Sequence, residues 1–308
     1  MSRILVTGGA GFIGSNIAKR LAELGHEVSV ADNLFLGRKD NLKGLDVKFY
    51  KTDLRDEKLT DGLFRKGRFE YVFHEAGCSS APMFDNDPRY AMDVNVRGFM
   101  NVLQGAKESG VKRVIYASTS SLYHDLTPPH MESMNVVPKS FYTISKYVME
   151  LFARQYLDEH GVESIGMRYF SVYGPNELHK GRFANIISQF LWIMKKGQRP
   201  VIYGDGSQAR DFSYVDDVVD ANLKAMRNGK AGEVYNVGTG SVTTFNQVVE
   251  LLNKHLGKNI KPKHIPNPVH NYVPVTGAST EKAQRELGFV SRYELNEGIK
   301  KLVEFYSR

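Results

Sequence analysis

Apolar and polar positions run along the first half of the chain in two rhythms. Short β-branched or aromatic runs at Arg3 to Val6, Glu27 to Ala31, Val47 to Lys51, Tyr71 to His74, Arg113 to Ala117 and Ser164 to Arg168 predict six strands. Between them, apolar residues three and four apart near Ile13 to Leu24, Glu57 to Phe64, Pro88 to Ser109 and Ser140 to His160 predict helices. Strands joined by helical crossovers pair in parallel, so the expected fold is α/β, a doubly wound parallel sheet with its ligand crevice at the strand C-terminal ends. After Arg168 the rhythm breaks, with loop signals at Gly174-Pro175-Asn176, Gly204-Asp205-Gly206 and Pro266-Asn267-Pro268. The main body is expected over 1–168 and a smaller α/β lobe over 169–308. Asp211 to Val215 and Glu233 to Val237 are expected to be strands returning to the main body (211–237).

Composition narrows the classes. A length of 308 residues with 42% hydrophobic residues supports a sizeable core. No long apolar run appears, and the chain enters a strand directly, so the expectation is a cytoplasmic protein with no membrane partner. The single cysteine, Cys78, leaves no internal disulfide and no multi-cysteine metal site, and no metal is expected. The net charge of +7 is spread without a Lys/Arg block, which argues against nucleic acid and fits an acidic small molecule or solubility alone.

Chemistry enters with Gly8, Gly11 and Gly14, which frame Phe12 and Ile13 between a strand and an amphipathic helix. Residues without a Cβ let backbone N–H groups approach a pyrophosphate at the positive end of the helix. Asp32, at the end of the second strand, can accept from a ribose diol and would repel a 2′-phosphate, which favours NAD over NADP. Arg38 and Lys39 nearby work the other way. Tyr142 and Lys146, four apart on a helix, share a face, so an ammonium there can favour the ionised phenol. Taken alone, that spacing usually marks a solvated helix face.

Together with Asp32-Asn33-Leu34, Asp53-Leu54-Arg55-Asp56, Phe73 to Gly77, Asn95 to Gly98, Tyr116 to Tyr123, Arg168 to Pro175 and Arg210-Asp211-Phe212, these residues give a resemblance over nearly the whole chain. The sequence resembles the extended short-chain dehydrogenase/reductase family, and within it the NAD-dependent nucleotide-sugar epimerases of the UDP-glucose and UDP-N-acetylglucosamine 4-epimerase kind. The resemblance implies a Rossmann domain over 1–168 and a nucleotide-sugar lobe over 169–308. NAD would be held by Gly8, Gly11, Phe12, Ile13, Gly14, Asp32 and Asn33. Asp53 and Leu54 would lie at the adenine, Ala76 and Gly77 along the cofactor's path, and Ser118 and Tyr169 beside it. Asn95 would organise the catalytic helix. The catalytic group would be Thr119, Tyr142 and Lys146, with Thr119 holding a sugar oxygen, Tyr142 removing its proton and Lys146 stabilising the tyrosinate. Ser79, Thr119, Ser120, Ser171, Lys180, Tyr203, Arg210 and Tyr272 would contact a nucleotide-diphosphate sugar, UDP-linked. A homodimer through the helices at Pro88 to Ser109 and Ser140 to His160 is also implied.

The chain departs from the family pattern at several places. Ser171 replaces an asparagine, and His124 replaces a glycine, where it is expected to alter a loop. No second phosphate arginine occurs near 270, with His270, Asn271 or Tyr272 as stand-ins. Thr276 falls where a bulky tyrosine would exclude N-acetylated sugars, so these are expected to be accepted. His74 to Ser80 and His179-Lys180-Gly181 are also similar to ADP-heptose 6-epimerases, in which the matching lysine is a second base. Lys180 is therefore open as base, phosphate binder or solvent-facing residue. Ser120 and Ser121 stand where dehydratases carry acids, which disfavours that reaction, and an intact triad disfavours a silent NAD-binding sensor.

Overall fold

The computed structural model describes residues 1–268 and 273–307. Its strands are β1 (Arg3–Thr7), β2 (Glu27–Asp32), β3 (Val47–Lys51), β4 (Tyr71–His74), β5 (Arg113–Thr119), β6 (Ser164–Tyr169), β7 (Val201–Tyr203), β8 (Ala209–Arg210), β9 (Val234–Val237), β10 (Thr243–Thr244), β11 (Lys263–Ile265) and β12 (Val275–Thr276). Seven of them form one parallel sheet in the order β3-β2-β1-β4-β5-β6-β9. Ile4, Leu5 and Val6 of β1 are wholly buried, as a central strand covered on both faces requires. Ile17, Val218 and Ala283 pack one face from helices Phe12–Glu23, Val215–Asn228 and Glu281–Leu287. Phe64, Phe99 and Met149 pack the other from helices Glu57–Gly67, Gly98–Ser109 and Phe141–His160.

The six strands read from the first half are present. β9 joins β6 as the seventh, so the Glu233 to Val237 expectation holds in outline. Asp211 to Val215 does not form a strand. Asp211 is instead a buried hub whose carboxylate accepts from Thr239 N at 2.8 Å, Gly240 N at 2.9 Å and Ala278 N at 3.1 Å, and a helix begins at Val215. A carboxylate that ties three loops together leaves no room for regular pairing. The remaining short strands make two small sheets, β10-β8-β12 and β11-β7. Beside them lies a separate apolar cluster that includes Tyr173, Ile187, Phe190, Phe245 and Ile299.

One helix differs in kind from its expectation. The segment from Pro88 to Ser109 is helical throughout, but Asp93–Arg97 is a π-helical turn. Such turns insert an extra residue and turn one side chain out of the regular stripe. Here that turn carries Asn95.

Candidate active site

A cleft of about 1050 Å³ opens at the C-terminal ends of β1, β4, β5 and β6, around the point between β1 and β4 where the strand order reverses. Its floor starts at the turn from β1 into helix Phe12–Glu23. Gly8 has φ +65°, and a Cβ there would lie 2.5 Å from Ala76 N. A Cβ on Gly14 would lie 2.4 Å from Gly8 O. Gly11, the N-cap, offers no side-chain acceptor to the first helical turn. The result is a cradle of backbone N–H groups at a helix N-terminus, sized for a pyrophosphate.

Next to it, the Asp32 carboxylate accepts from Ala10 N at 3.0 Å and Leu34 N at 2.7 Å. Burial raises its pKa, and those two bonds oppose the rise. Asn33, Asp53 and Leu54 continue the wall. Asp53 is already engaged, because the Arg55 fork reaches its two oxygens at 3.0 and 2.7 Å and holds its carboxyl below the usual range. Arg55 in turn lies 4.4 Å from the Tyr90 ring centroid.

Helix Phe141–His160 begins at a capping box between Ser140 and Thr143, and that start fixes which face meets the cleft. Tyr142 and Lys146 share that face and are buried, with Thr119 at the end of β5 opposite them. Burial pushes the Tyr142 phenol up to about 12, opposed by its hydrogen bond with Thr119. The expected activation of the phenol by Lys146 is absent from this arrangement. Lys146 Nζ donates instead to Ala117 O at 2.8 Å, and burial lowers the ammonium to about 8, with Glu75, Cys78 and Glu150 pulling it back.

Asn95 stands behind the cleft and not on its wall. Its Oδ1 accepts from Cys78 N at 2.7 Å, while its Nδ2 donates to Cys78 O at 3.1 Å and Ser145 Oγ at 2.9 Å. It thereby clips the chain after β4 to the helix bearing Tyr142 and Lys146. Ala76 and Gly77 line the cleft just ahead of that clip. Ser118 also lines it, but its hydroxyl donates to Glu150 Oε1 at 2.6 Å. Glu150 is paired with Arg168 at 2.7 Å, and Arg168 Nη1 donates to Tyr123 at 2.8 Å, a buried strut beneath β5 and β6.

Sequence reasoning passed over Glu75. It lies at the end of β4 on the cleft wall, and its Oε1 accepts from the Tyr169 hydroxyl at 2.8 Å. Burial raises its carboxyl to about 7, opposed by Tyr169 and Lys146. Its neighbour His74 is held neutral, lowered to about 3 by burial, with Nδ1 2.8 Å from Thr7 Oγ1. Its sequence signal was an acidic residue directly after a buried apolar strand, inside the Phe73 to Gly77 run that carried the resemblance without being given a role of its own.

On the far side, Ser79, Ser120, Ser171, Lys180 and Arg210 reach the cleft. Lys180 Nζ is 3.7 Å from Glu177 Oε1 and 5.7 Å from the Phe12 ring centroid. Arg210 donates to Val273 O at 2.7 Å, Ala209 O at 2.8 Å and Pro274 O at 3.1 Å. Tyr203 does not line the cleft. It is 40% exposed on β7, in register with Ile265 of β11, in a small sheet away from the triad. Thr276 is buried in β12 and is not on the cleft wall, so its size does not set the room for a sugar. His124, expected to alter only a loop, does line the cleft. Tyr272, His270 and Asn271 lie outside the described residues. Among the described residues no group of three or more His, Cys, Asp or Glu could hold a metal ion, and no helix is long and apolar enough to cross a membrane.

Comparison with known proteins matches residues 4–238 to the NAD dependent epimerase/dehydratase family. A UDP-glucose 4-epimerase of Mycolicibacterium smegmatis is 33% identical, over 99% of this chain and 98% of its own length. The crystal structure of the Thermotoga maritima UDP-glucose 4-epimerase with UDP-glucose is 36% identical and superposes with a TM-score of 0.93, covering 99% of this chain and 98% of that one. The Helicobacter pylori ADP-L-glycero-D-manno-heptose-6-epimerase is 32% identical with a TM-score of 0.89, covering 99% and 96%.

Proposed function

The chain belongs to the NAD-dependent epimerase/dehydratase family and is an NAD-dependent epimerase of the 4-epimerase type; from that premise we propose that it inverts C4 of a UDP-hexose or UDP-N-acetylhexosamine through a 4-keto sugar. The observation that carries this reading is the convergence of Thr119, Tyr142 and Lys146 on one cleft with the glycine cradle and, across it, Arg210. NAD, when bound at Gly8 to Gly14 and Asp32, supplies the acceptor and later the donor of the hydride.

The chain's own residues do the rest. Thr119, already hydrogen-bonded to the Tyr142 phenol, offers its hydroxyl to the sugar oxygen, so that oxygen meets the phenol. Tyr142 takes the hydroxyl proton and later returns it. With its phenol at about 12, Tyr142 needs a cation to act as a base, and Lys146, one helical turn on, would be that cation on turning its ammonium from Ala117 O toward the phenol. The guanidinium of Arg210 is suited to the diphosphate. Small side chains on the wall at Ser79, Ser80 and Ala81 support acceptance of the N-acetyl group.

A second reading has one observation in its favour. Lys180 lies on the same cleft, so the reaction of an ADP-heptose 6-epimerase, with Lys180 as second base, is the rival. Purified protein incubated with UDP-, ADP-, GDP- and dTDP-sugars without added NAD, read by NMR, separates them. The expected product is a C4-inverted UDP-sugar. Tyr142→Phe then lowers kcat by about 10²- to 10⁴-fold, whereas Lys180→Ala acts mainly on KM. An equal kcat loss in both variants, with turnover of an ADP-heptose, would favour the rival.

We also propose a homodimer. Phe141, Ile144 and Leu151 on helix Phe141–His160 and Met100 on helix Gly98–Ser109 are exposed apolar residues, and a second copy would cover them.

A further inference from the structure

Basic residues that form no block in the sequence are gathered by the fold. The chain has 41 Lys and Arg against 34 Asp and Glu. Lys195, Lys196 and Arg199 fall within 191–204, Lys254, Lys258, Lys261 and Lys263 within 251–268, and neither stretch contains an acidic residue. Those seven equal the net charge of +7, so the rest of the chain balances at 34 of each sign.

Contacts join the two stretches into one surface. β7 pairs with β11, Arg199 donates to Lys261 O at 3.0 Å and Pro262 O at 2.8 Å, and Lys258 Nζ donates to Met194 O and Lys195 O at 2.8 Å each. Among the described residues none of the seven is ion-paired. Asp205 and Glu250 border the stretches, and the Asp205 carboxylate is turned to Ser207, accepting from its N at 2.9 Å and its Oγ at 2.6 Å. None of the seven lines the catalytic cleft.

The sheet at the centre of this surface has one free face. Ile202 of β7 is buried in the apolar cluster with Leu252, so its neighbours Val201 and Tyr203 point the other way, each 40% exposed. In the parallel register Lys263 stands beside Val201 and Ile265 beside Tyr203, which places an ammonium next to two apolar side chains and an amphipathic ring.

We propose that this face, with the lysines around it, attaches the protein to an anionic phospholipid surface. The attachment is peripheral and independent of the epimerase reading. The absence of a long apolar run, from which no membrane partner was expected, bears on spanning a bilayer and not on lying against one. Lysines attract a negative surface diffusely, while Val201 and Tyr203 suit the boundary between headgroups and acyl chains. A nucleic acid fits less well. The patch has one guanidinium fork, Arg199, already spent on carbonyls, and an exposed valine has no counterpart on a phosphate backbone.

The test floats the full chain with vesicles of phosphatidylcholine, alone or with about 30% phosphatidylglycerol, at about 0.05 and about 0.3 M salt. Binding is expected with the anionic vesicles only and should weaken as salt rises. The triple variant Lys196→Gln, Lys261→Gln, Lys263→Gln should lower the partition coefficient by about 10- to 100-fold at low salt. Exposed lysines elsewhere, changed as Lys43→Gln, Lys66→Gln, Lys107→Gln, remove the same charge and should leave binding nearly intact. Val201→Ser with Tyr203→Ser should weaken binding severalfold without altering its salt dependence. Equal binding to both vesicles, binding to neither, or an equal loss in the two lysine triples overturns the proposal. So does tighter binding to duplex DNA or single-stranded RNA at the same salt, indifferent to Val201 and Tyr203. If the Val201 and Tyr203 variant does not fold, the two lysine triples still decide, and no substrate is needed for either.

Discussion

The two walls of the cleft hold polar groups in place by opposite means. The wall built on the sheet does so by leaving atoms out and by locking backbone. Gly8 and Gly14 come so close to Ala76 and to each other that a methyl group has nowhere to go, and Asn95 pins the Cys78 backbone from behind with two bonds. The wall built from later segments does so with long side chains. Arg210 grips the carbonyls of Val273 and Pro274, and Lys180 faces Glu177, which itself accepts from Asn185 N and Ser188 Oγ at 2.6 Å each. A backbone cradle has one solution and fits the part of the ligand that never changes. A wall of long side chains has more rotamers open to it and should tolerate change more readily.

That contrast predicts where substitutions will hurt and how. The largest effect is expected from Gly14→Ala, whose Cβ would meet the Gly8 carbonyl at 2.4 Å. It should cost about 3 kcal/mol of stability and cause loss of retained NAD, seen as a lower Tm and cofactor-free protein on purification. A well-folded Gly14→Ala that keeps NAD would break the comparison. Asn95→Ala comes next. It strands Cys78 N and Cys78 O, at a cost of about 2–3 kcal/mol in denaturant titration, and should lower kcat more than it raises KM because the catalytic helix loses its clip. The smallest effect is expected at Ser171, which has φ +30°. Asparagine tolerates that region better, so Ser171→Asn should raise stability by a few tenths of a kcal/mol and lower KM for a diphosphate ligand by its longer reach. A fall in Tm there would mean that the later wall is as tightly specified as the sheet wall.

The same contrast explains what could be read in advance. The parallel strands were legible as short apolar or β-branched runs, and β1, wholly buried at Ile4 to Val6, is the plainest case. The cradle and the Tyr142–Lys146 face were legible because their residues are close in sequence, so local geometry alone brings them together. Glu75 was not, since its hydrogen-bond partner, Tyr169, comes from β6, far along the chain. The π-turn at Asp93–Arg97 was hidden for another reason. Its apolar spacing still reads as one helix, and the extra residue shows only in the backbone of the folded chain. Asp211 misled because an extended segment flanked by apolar residues looks like a strand until its carboxylate is seen accepting three backbone N–H groups from two other loops. Tyr203 carried a family expectation into a region where strand pairing, not spacing, decides which way a side chain lies.

The placement of β9 has a bearing on how the molecule is made. β6 is the sixth strand in the chain, but its outer edge is covered only when Val234–Val237 arrives, pairing Gly166 with Val234 and Tyr169 with Val237. Until then a nascent chain that has already built most of its sheet carries a raw strand edge, the kind of surface that recruits strands from neighbouring chains. A version cut after Tyr169 would keep the NAD cradle and Tyr142, yet carry that edge permanently. The later half of the chain is therefore also the seam that closes the earlier half, and the two cannot be separated at the boundary that the loss of sequence rhythm suggests.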